Sequence, residues 1–166
     1  MKIEFLVEAP NLLSKDNVKN FEVLLNKQGQ IDTVVGKVVR CYRICLVKLN
    51  GNPVAIGALK QVYKSPFDYA EVPELSDNYN YEIGYLFVDK ENIEDDNGKL
   101  GIGKYITRLL LNEVRNDNVF ATTEENTDNP MLHILKSTGF KIIGKTYKGN
   151  KTNKKLCLML LERINS

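Results

Sequence analysis

Apolar and polar positions alternate loosely from Lys2 to Val7, which predicts a first strand. From Asn17 to Lys27 the period lengthens, and Val18, Phe21, Val23, Leu24 and Leu25 fall at mostly helical spacing. A second helix is expected from Ile31 to Cys41, with Ile31, Val34, Val35, Val38 and Val39 on one side, although β-branched residues suit helices poorly. Two apolar runs follow, Ile44 to Leu49 and Val54 to Val62, separated by Asn50-Gly51-Asn52-Pro53, a segment whose turn chemistry predicts a hairpin. After a polar, proline-containing connection, Tyr81 to Val88 is apolar almost throughout, as expected of a strand at the centre of a sheet. A helix is predicted from about Gly103 to Arg115, with Ile106, Leu109, Leu110 and Val114 on its buried stripe. Val119 to Thr122 reads as a short strand. Asn129 then caps a helix that has Pro130 at its first position, runs to about Ser137 and stops at Gly139. Phe140 to Tyr147 and Leu156 to Leu161 read as two closing antiparallel strands. The predicted order is β-α-α-β-β-β-α-β-α-β-β.

At 166 residues, 43% of them hydrophobic, the chain can bury one sizeable core. No proline/glycine/serine-rich linker or internal repeat divides it, so a single domain over 1–166 is expected. The N-terminal Met1-Lys2-Ile3-Glu4 opens no long apolar segment, and no apolar run reaches the roughly 18 residues of a membrane span. Cys41, Cys45 and Cys157 are odd in number and form no C-x-x-C pair. Cys41 and Cys45 also fall at helical spacing and are expected to be buried. Free thiols in a reducing compartment, a cytoplasmic location and no membrane partner are the corresponding expectations.

The formal charge of +2 gives no argument for nucleic acid, but its distribution is uneven. Acids from Asp68 to Asp96 are offset only by Lys90, whereas Lys141, Lys145, Lys148, Lys151, Lys154 and Lys155 stand without an acid among them. Such runs usually face water; a functional alternative is that the acids around the Tyr63 to Tyr81 connection draw in a cationic amine. His133 is the single histidine, which excludes histidine-pair metal sites, and no metal is expected.

The stretch Gly98-Lys99-Leu100-Gly101-Ile102-Gly103-Lys104 carries most of the chemistry. A glycine-rich turn that opens a helix presents unpaired N–H groups and the positive end of the helix dipole, which together suit phosphate. A P-loop would require Ser or Thr where Tyr105 stands, to hold magnesium. A dinucleotide fingerprint would require a small residue where Ile106 stands.

Gly101-Ile102-Gly103 resembles the acyl-CoA loop of the Gcn5-related N-acetyltransferases. Together with Tyr81-Glu82-Ile83-Gly84-Tyr85-Leu86-Phe87-Val88 and Leu135-Lys136-Ser137-Thr138-Gly139-Phe140, it extends that resemblance over nearly the whole chain, most strongly from Glu82 to Phe140. The likeness implies an α/β (α+β) fold: a mixed, mostly antiparallel central sheet of about six to seven strands flanked by about four helices, splayed between two central parallel strands. It implies transfer of an acetyl group from acetyl-CoA, as cosubstrate, to a primary amine on a small molecule or peptide, by direct attack in a ternary complex. A homodimer is compatible with it.

By the same likeness Glu82 is the candidate base for the amine proton. Backbone groups of Leu86, Phe87 and Val88 face the acetyl and pantetheine. Lys99, Leu100, Gly101, Ile102, Gly103 and Lys104 hold the pyrophosphate, and Asn129 contacts CoA. Two positions depart from the pattern. Gly98 stands where the loop usually carries Arg or Gln, and Leu135 stands where many relatives place the tyrosine that protonates the thiolate, so Tyr147 or Tyr105 would have to be recruited. These departures keep open a second reading, a non-catalytic acyl-CoA sensor or scaffold; a P-loop-type nucleotide binder is a third.

Overall fold

The strand from Tyr81 to Val88 lies in the middle of a seven-stranded sheet, as its apolar character requires. The computed structural model describes residues 1–29, 36–60, 63–93, 101–150 and 152–163. Its strands are β1 (Ile3–Glu8), β2 (Arg43–Leu49), β3 (Asn52–Lys60), β4 (Tyr81–Val88), β5 (Val119–Glu124), β6 (Lys141–Lys148) and β7 (Lys155–Leu161), in the spatial order β1-β2-β3-β4-β5-β7-β6. The helices are α1 (Lys15–Gln28), α2 (Ser65–Tyr69), α3 (Ile102–Glu113) and α4 (Pro130–Ser137). Neighbouring strands are antiparallel except β4 and β5, which run parallel and pair only as Tyr81↔Val119 and Glu82↔Phe120.

Local chemistry sets the turns and caps. Asn50 and Gly51 both take positive φ, 50° and 84°, the conformation of a two-residue hairpin turn matched to strand twist. The Ser14 side chain accepts a hydrogen bond from the Asn17 N–H at the start of α1, and Gly29 closes that helix at φ 75°. Helix α4 begins with Asn129 and Pro130 as the sequence predicts, and Gly139 follows it at φ 103°.

Two expectations fail. The helix expected over Ile31 to Cys41 does not form in its described part: Gly36 has φ 80°, and Val38–Arg40 makes a single 3₁₀ turn; residues 31–35 lie outside the described residues. Val34, Val35, Val38 and Val39 offer apolar side chains but little helix propensity, and a glycine in the left-handed region ends any helical run. Consequently Cys41 and Cys45 do not share a helix face. Both are buried, Cys41 under α1 and Cys45 in the cluster on the opposite side of the sheet. Conversely, the connection before β4 contains α2, five residues long, with Phe67 buried beneath it.

One face of the sheet carries a continuous core beneath α3 and α4, including Leu59, Ile83, Ile106, Leu110, Ala121 and Leu135. The other face is divided. Phe21, Leu24 and Leu25 of α1 pack on Ile44, Leu46 and Ile56, while Phe67 of α2 packs on Phe120, Leu158 and Leu160. β4 runs between these two clusters, and at that break stand Lys60 and Glu82, register partners on β3 and β4.

Candidate active site

Strand β4 bulges. Its register against β3 steps from Ala58↔Gly84 to Ile56↔Phe87, so Tyr85 and Leu86 together oppose Gly57. Tyr85 sits at φ 55°, a conformation that costs a non-glycine residue about 1–2 kcal/mol and is held here by packing. The bulge coincides with the parting of β4 from β5, whose pairing ends at Glu82↔Phe120. Gly57 lets α3 lie close over this point, because a Cβ there would come within 2.6 Å of Ile106 Cγ2.

Beyond the parting lies a cleft of about 720 Å³, walled by Leu86 and Val88 of β4, the first turn of α3, and Asn129, Met131 and Ile134 around α4. Helix α3 has no side-chain cap; Gly101 fills the N-cap position at φ 61°, and the first helical bond runs from the Tyr105 N–H to the Gly101 carbonyl. The N–H groups of Ile102, Gly103 and Lys104 therefore have no acceptor within the helix and lie at its positive end, at the wall of the cleft. Gly103 permits the tight fit of α3 against α4 and β4, since a Cβ would stand 2.9 Å from Ile134 Cδ1 and 3.6 Å from Leu86 Cδ2. These features suit acyl-CoA: a positive helix end for its phosphates and an apolar wall for its pantetheine arm.

Asn129 borders the cleft, but its side chain is already engaged. Its Oδ1 accepts from the Met131 N–H at 3.1 Å, and its Nδ2 donates to Thr123 Oγ1 and to the Glu124 carbonyl, both at 2.8 Å. His133 also borders the cleft, exposed, with Nε2 against the Thr127 carbonyl. Lys99 and Leu100 lie outside the described residues, as does Gly98.

Glu82 is buried and faces the break in the second core, with Oε1 3.1 Å from Lys60 Nζ. Lys60 lies across Gly84, where a Cβ would stand 2.8 Å from its Cδ, and its ammonium is 4.7 Å from the centre of the Tyr85 ring. Burial is the largest single influence on Lys60 and pulls its pKa down, but the Glu82 carboxylate, together with Tyr85 and Cys41, holds the ammonium above its ordinary value. Tyr147 is on the same side of the sheet and near enough to feel the Glu82 charge. Burial raises its pKa more than the neighbouring Thr122 hydroxyl lowers it, so the phenol is protonated at neutral pH. Thr122 Oγ1 is buried, with no partner in hydrogen-bond geometry among the described residues. The Tyr69 ring, at 5.4 Å between centroids, braces Tyr147. Gly144, at φ 73°, lets Ala70 just after α2 close down on β6. Tyr105 packs on Phe5 at 4.7 Å on the outer side of α3 and takes no part in the cleft, and Leu135 is core.

The charge runs face water in the main. Asp68, Glu71, Glu74 and Asp77 are exposed, Glu71 pairs with Lys145 at 2.7 Å, and Lys154 and Lys155 pair with Glu124 and Glu125. Among the described residues of these runs, Glu82 and Asp89 are the buried exceptions.

Two residues that sequence reasoning passed over matter here. Lys60 has no local motif; only the β3–β4 register brings it to Glu82. Gln28, the last residue of α1, donates from Nε2 to the Leu86 carbonyl at 2.8 Å and thereby fastens the bulged strand to α1. Among the described residues no group of His, Cys, Asp and Glu is placed to hold a metal, and no helix is long and apolar enough to cross a membrane.

No protein-family model matches the sequence, and no curated protein matches it either. Solved structures do. ElaA of Escherichia coli superimposes at a TM-score of 0.68 with 13% identity, over 97% of this chain and 100% of its own. An N-acetyltransferase from Staphylococcus aureus Mu50 gives 0.67 at 15% identity over 99% and 100%. Arabidopsis thaliana Naa50, in complex with the bisubstrate analogue CoA-Ac-MVNAL, gives 0.67 at 12% identity over 95% and 98%. The likeness is one of fold: this chain has the fold of the Gcn5-related N-acetyltransferases.

Proposed function

We propose that the chain is a single-domain N-acetyltransferase that moves an acetyl group from acetyl-CoA to a primary amine within a ternary complex, in the reducing environment of the cytoplasm. The observation that carries this reading is the two-rung pairing of β4 with β5, which opens directly into a cleft under the uncapped start of α3. N–H groups from Gly101 to Lys104, with Lys99 and Leu100 ahead of them, take the pyrophosphate. The backbone from Leu86 to Val88 takes the pantetheine and acetyl oxygen, and Asn129 serves by shaping the cleft wall. A donor aimed at the developing oxyanion is worth about 3–4 kcal/mol, and alignment of amine and thioester about 7–11 kcal/mol.

Only on the order of one alkylamine in two thousand is neutral at pH 7. Glu82, directly or through water, accepts the proton as the amine nitrogen bonds to the acetyl carbon. The carbon–sulfur bond then breaks, and the departing thiolate takes a proton from Tyr147 or from water. Burial pushes the Cys41 and Cys45 thiols up to about 12 and Cys157 to about 11, so none is a ready nucleophile at neutral pH. That supports direct transfer over an acyl-enzyme.

Two observations favour a second reading, an acyl-CoA sensor without turnover: the Glu82 carboxylate is already held by Lys60, and Leu135 is core. One measurement tests both readings and a second separates them. Acetyl-CoA at 100 times its Kd raises stability by about 2.7 kcal/mol in a thermal-shift experiment under both. Thiol release detected with DTNB across an amine panel occurs only under the first. No thermal shift at millimolar acetyl-CoA overturns both.

A further inference from the structure

A second cavity, of about 540 Å³, lies at the end of the sheet where β1 and β3 finish and β2 and β4 begin, lined by Arg40, Cys41, Tyr42, Arg43, Lys60 and Tyr81 among others. It meets the candidate active site at Lys60, whose ammonium touches Glu82 just where β4 and β5 part. Its charge is one-sided. Arg40, Arg43 and Lys60 are cations, and no carboxylate stands among its described lining residues. Lys60 is balanced by Glu82. Arg43 stacks on Tyr42, with Cζ 4.3 Å from the ring centre, donates from Nη1 to the Tyr42 carbonyl at 2.9 Å, and meets Glu113 at 3.6 Å. Arg40 is exposed and makes no ion pair among the described residues. The Cys41 thiol, protonated at neutral pH, adds no negative charge.

We infer that this cavity seats the acceptor, and that the acceptor is a small amine bearing an oxyanion, a carboxylate or a phosphate, rather than a polyamine or another purely cationic amine. The inference rests on the acetyltransfer reading for the amine and on the cavity itself for the anion. A free ammonium entering beside Lys60 would meet a like charge, with the Glu82 carboxylate already neutralised. An anionic group meets the Arg40 guanidinium, which makes no ion pair among the described residues, and beside it that of Arg43, whose ion pair with Glu113 is long; a guanidinium binds carboxylate or phosphate in a planar fork. The volume is that of a small-molecule site. The acids on the Tyr63 to Tyr81 connection, by contrast, are exposed, and Glu71 is paired, so they give no focused field towards a cation.

The test is calorimetric binding of matched amines to the full chain, with and without saturating CoA: β-alanine against β-alaninamide, glucosamine 6-phosphate against glucosamine, and cadaverine. The acid-bearing member of at least one pair binds about tenfold tighter or more, the pair that responds identifying the anion, and added salt weakens it. Arg40→Gln and Arg43→Gln bring that ratio below about threefold, Arg40→Lys restores part of it, and the unliganded Tm of each variant shows that it folds. Cadaverine or the neutral members binding as tightly as the acids overturns the inference, as does an acid preference that survives both arginine substitutions. If the acids bind but acetyl-CoA gives no thermal shift, the acetyltransfer reading falls and the anion site stands. If acetyl-CoA binds and no acid preference appears, the anion site alone falls.

Discussion

The ammonium of Lys60 lies 3.1 Å from the carboxylate of Glu82, and the pair stands at the break between the two cores on one face of the sheet. A buried ion pair and a catalytic carboxylate are different tasks for the same group, and substitution separates them. Glu82→Gln leaves the Lys60 ammonium without its counter-charge. It lowers stability by the smaller end of about 3–5 kcal/mol, because the Lys60 side chain keeps 23% exposure. The same change lowers kcat/KM by about 10²–10⁴ if Glu82 takes the amine proton. The double change Lys60→Met with Glu82→Leu recovers stability in denaturant titration without recovering turnover. Recovery of both would dismiss Glu82 as a base.

Tyr147→Phe removes a phenol that burial keeps protonated at neutral pH. If that phenol protonates the thiolate, kcat falls by about 10² while KM for acetyl-CoA holds, and the alkaline limb of the kcat profile flattens. An unchanged profile assigns Tyr147 to packing against Tyr69.

Asp89, at the end of β4, accepts from Lys27 Nζ at 2.8 and 3.0 Å and from Asn92 Nδ2 at 2.6 Å. Burial alone would raise its pKa; these partners hold it below the ordinary 3.8. A carboxylate depressed in the folded state contributes stability above its unfolded value and loses it as pH falls through the depressed one. Asp89→Asn is therefore less stable than the parent by about 1.5–3 kcal/mol at pH 7, and the gap narrows below pH 3.8. Tm measured from pH 7 to pH 2.5 gives the comparison; a constant gap refutes the assignment.

Gly57→Ala places a Cβ 2.6 Å from Ile106 Cγ2 and forces α3 away from the bulge. The expected loss is about 1–3 kcal/mol, seen as a Tm lower by several degrees, together with weaker acetyl-CoA binding because the start of α3 moves. Gly51→Ala, at φ 84° with open space around it, costs stability through backbone strain and leaves acetyl-CoA affinity unchanged.

How far this arrangement is legible in the sequence follows from how local each cause is. Strands β1 to β7 and helices α1, α3 and α4 have periodicity or caps within a few residues, and each forms within a few residues of its expected bounds. Helix α2 escapes notice because Ser65–Tyr69 is too short to show a period and includes a proline. The helix expected from Ile31 fails where Gly36 turns the chain. At the site, the glycine turn and Glu82 are visible because they belong to a local motif. The bulge at Tyr85 is not, since tyrosine gives no hint of positive φ, and Lys60 becomes relevant only through strand register. The cation-lined cavity is likewise non-local: Arg40 and Arg43 reach Lys60 only once β2 and β3 have paired.

The narrow seam between β4 and β5 also bears on how the chain folds. Strands β1 to β4 and β5 to β7 are two antiparallel assemblies joined by two parallel rungs, so each can form from contacts among its own strands before the other docks. Amide hydrogen exchange then reports two cooperative units with different opening free energies, and α3, lying on β2, β3 and β4, exchanges with the first.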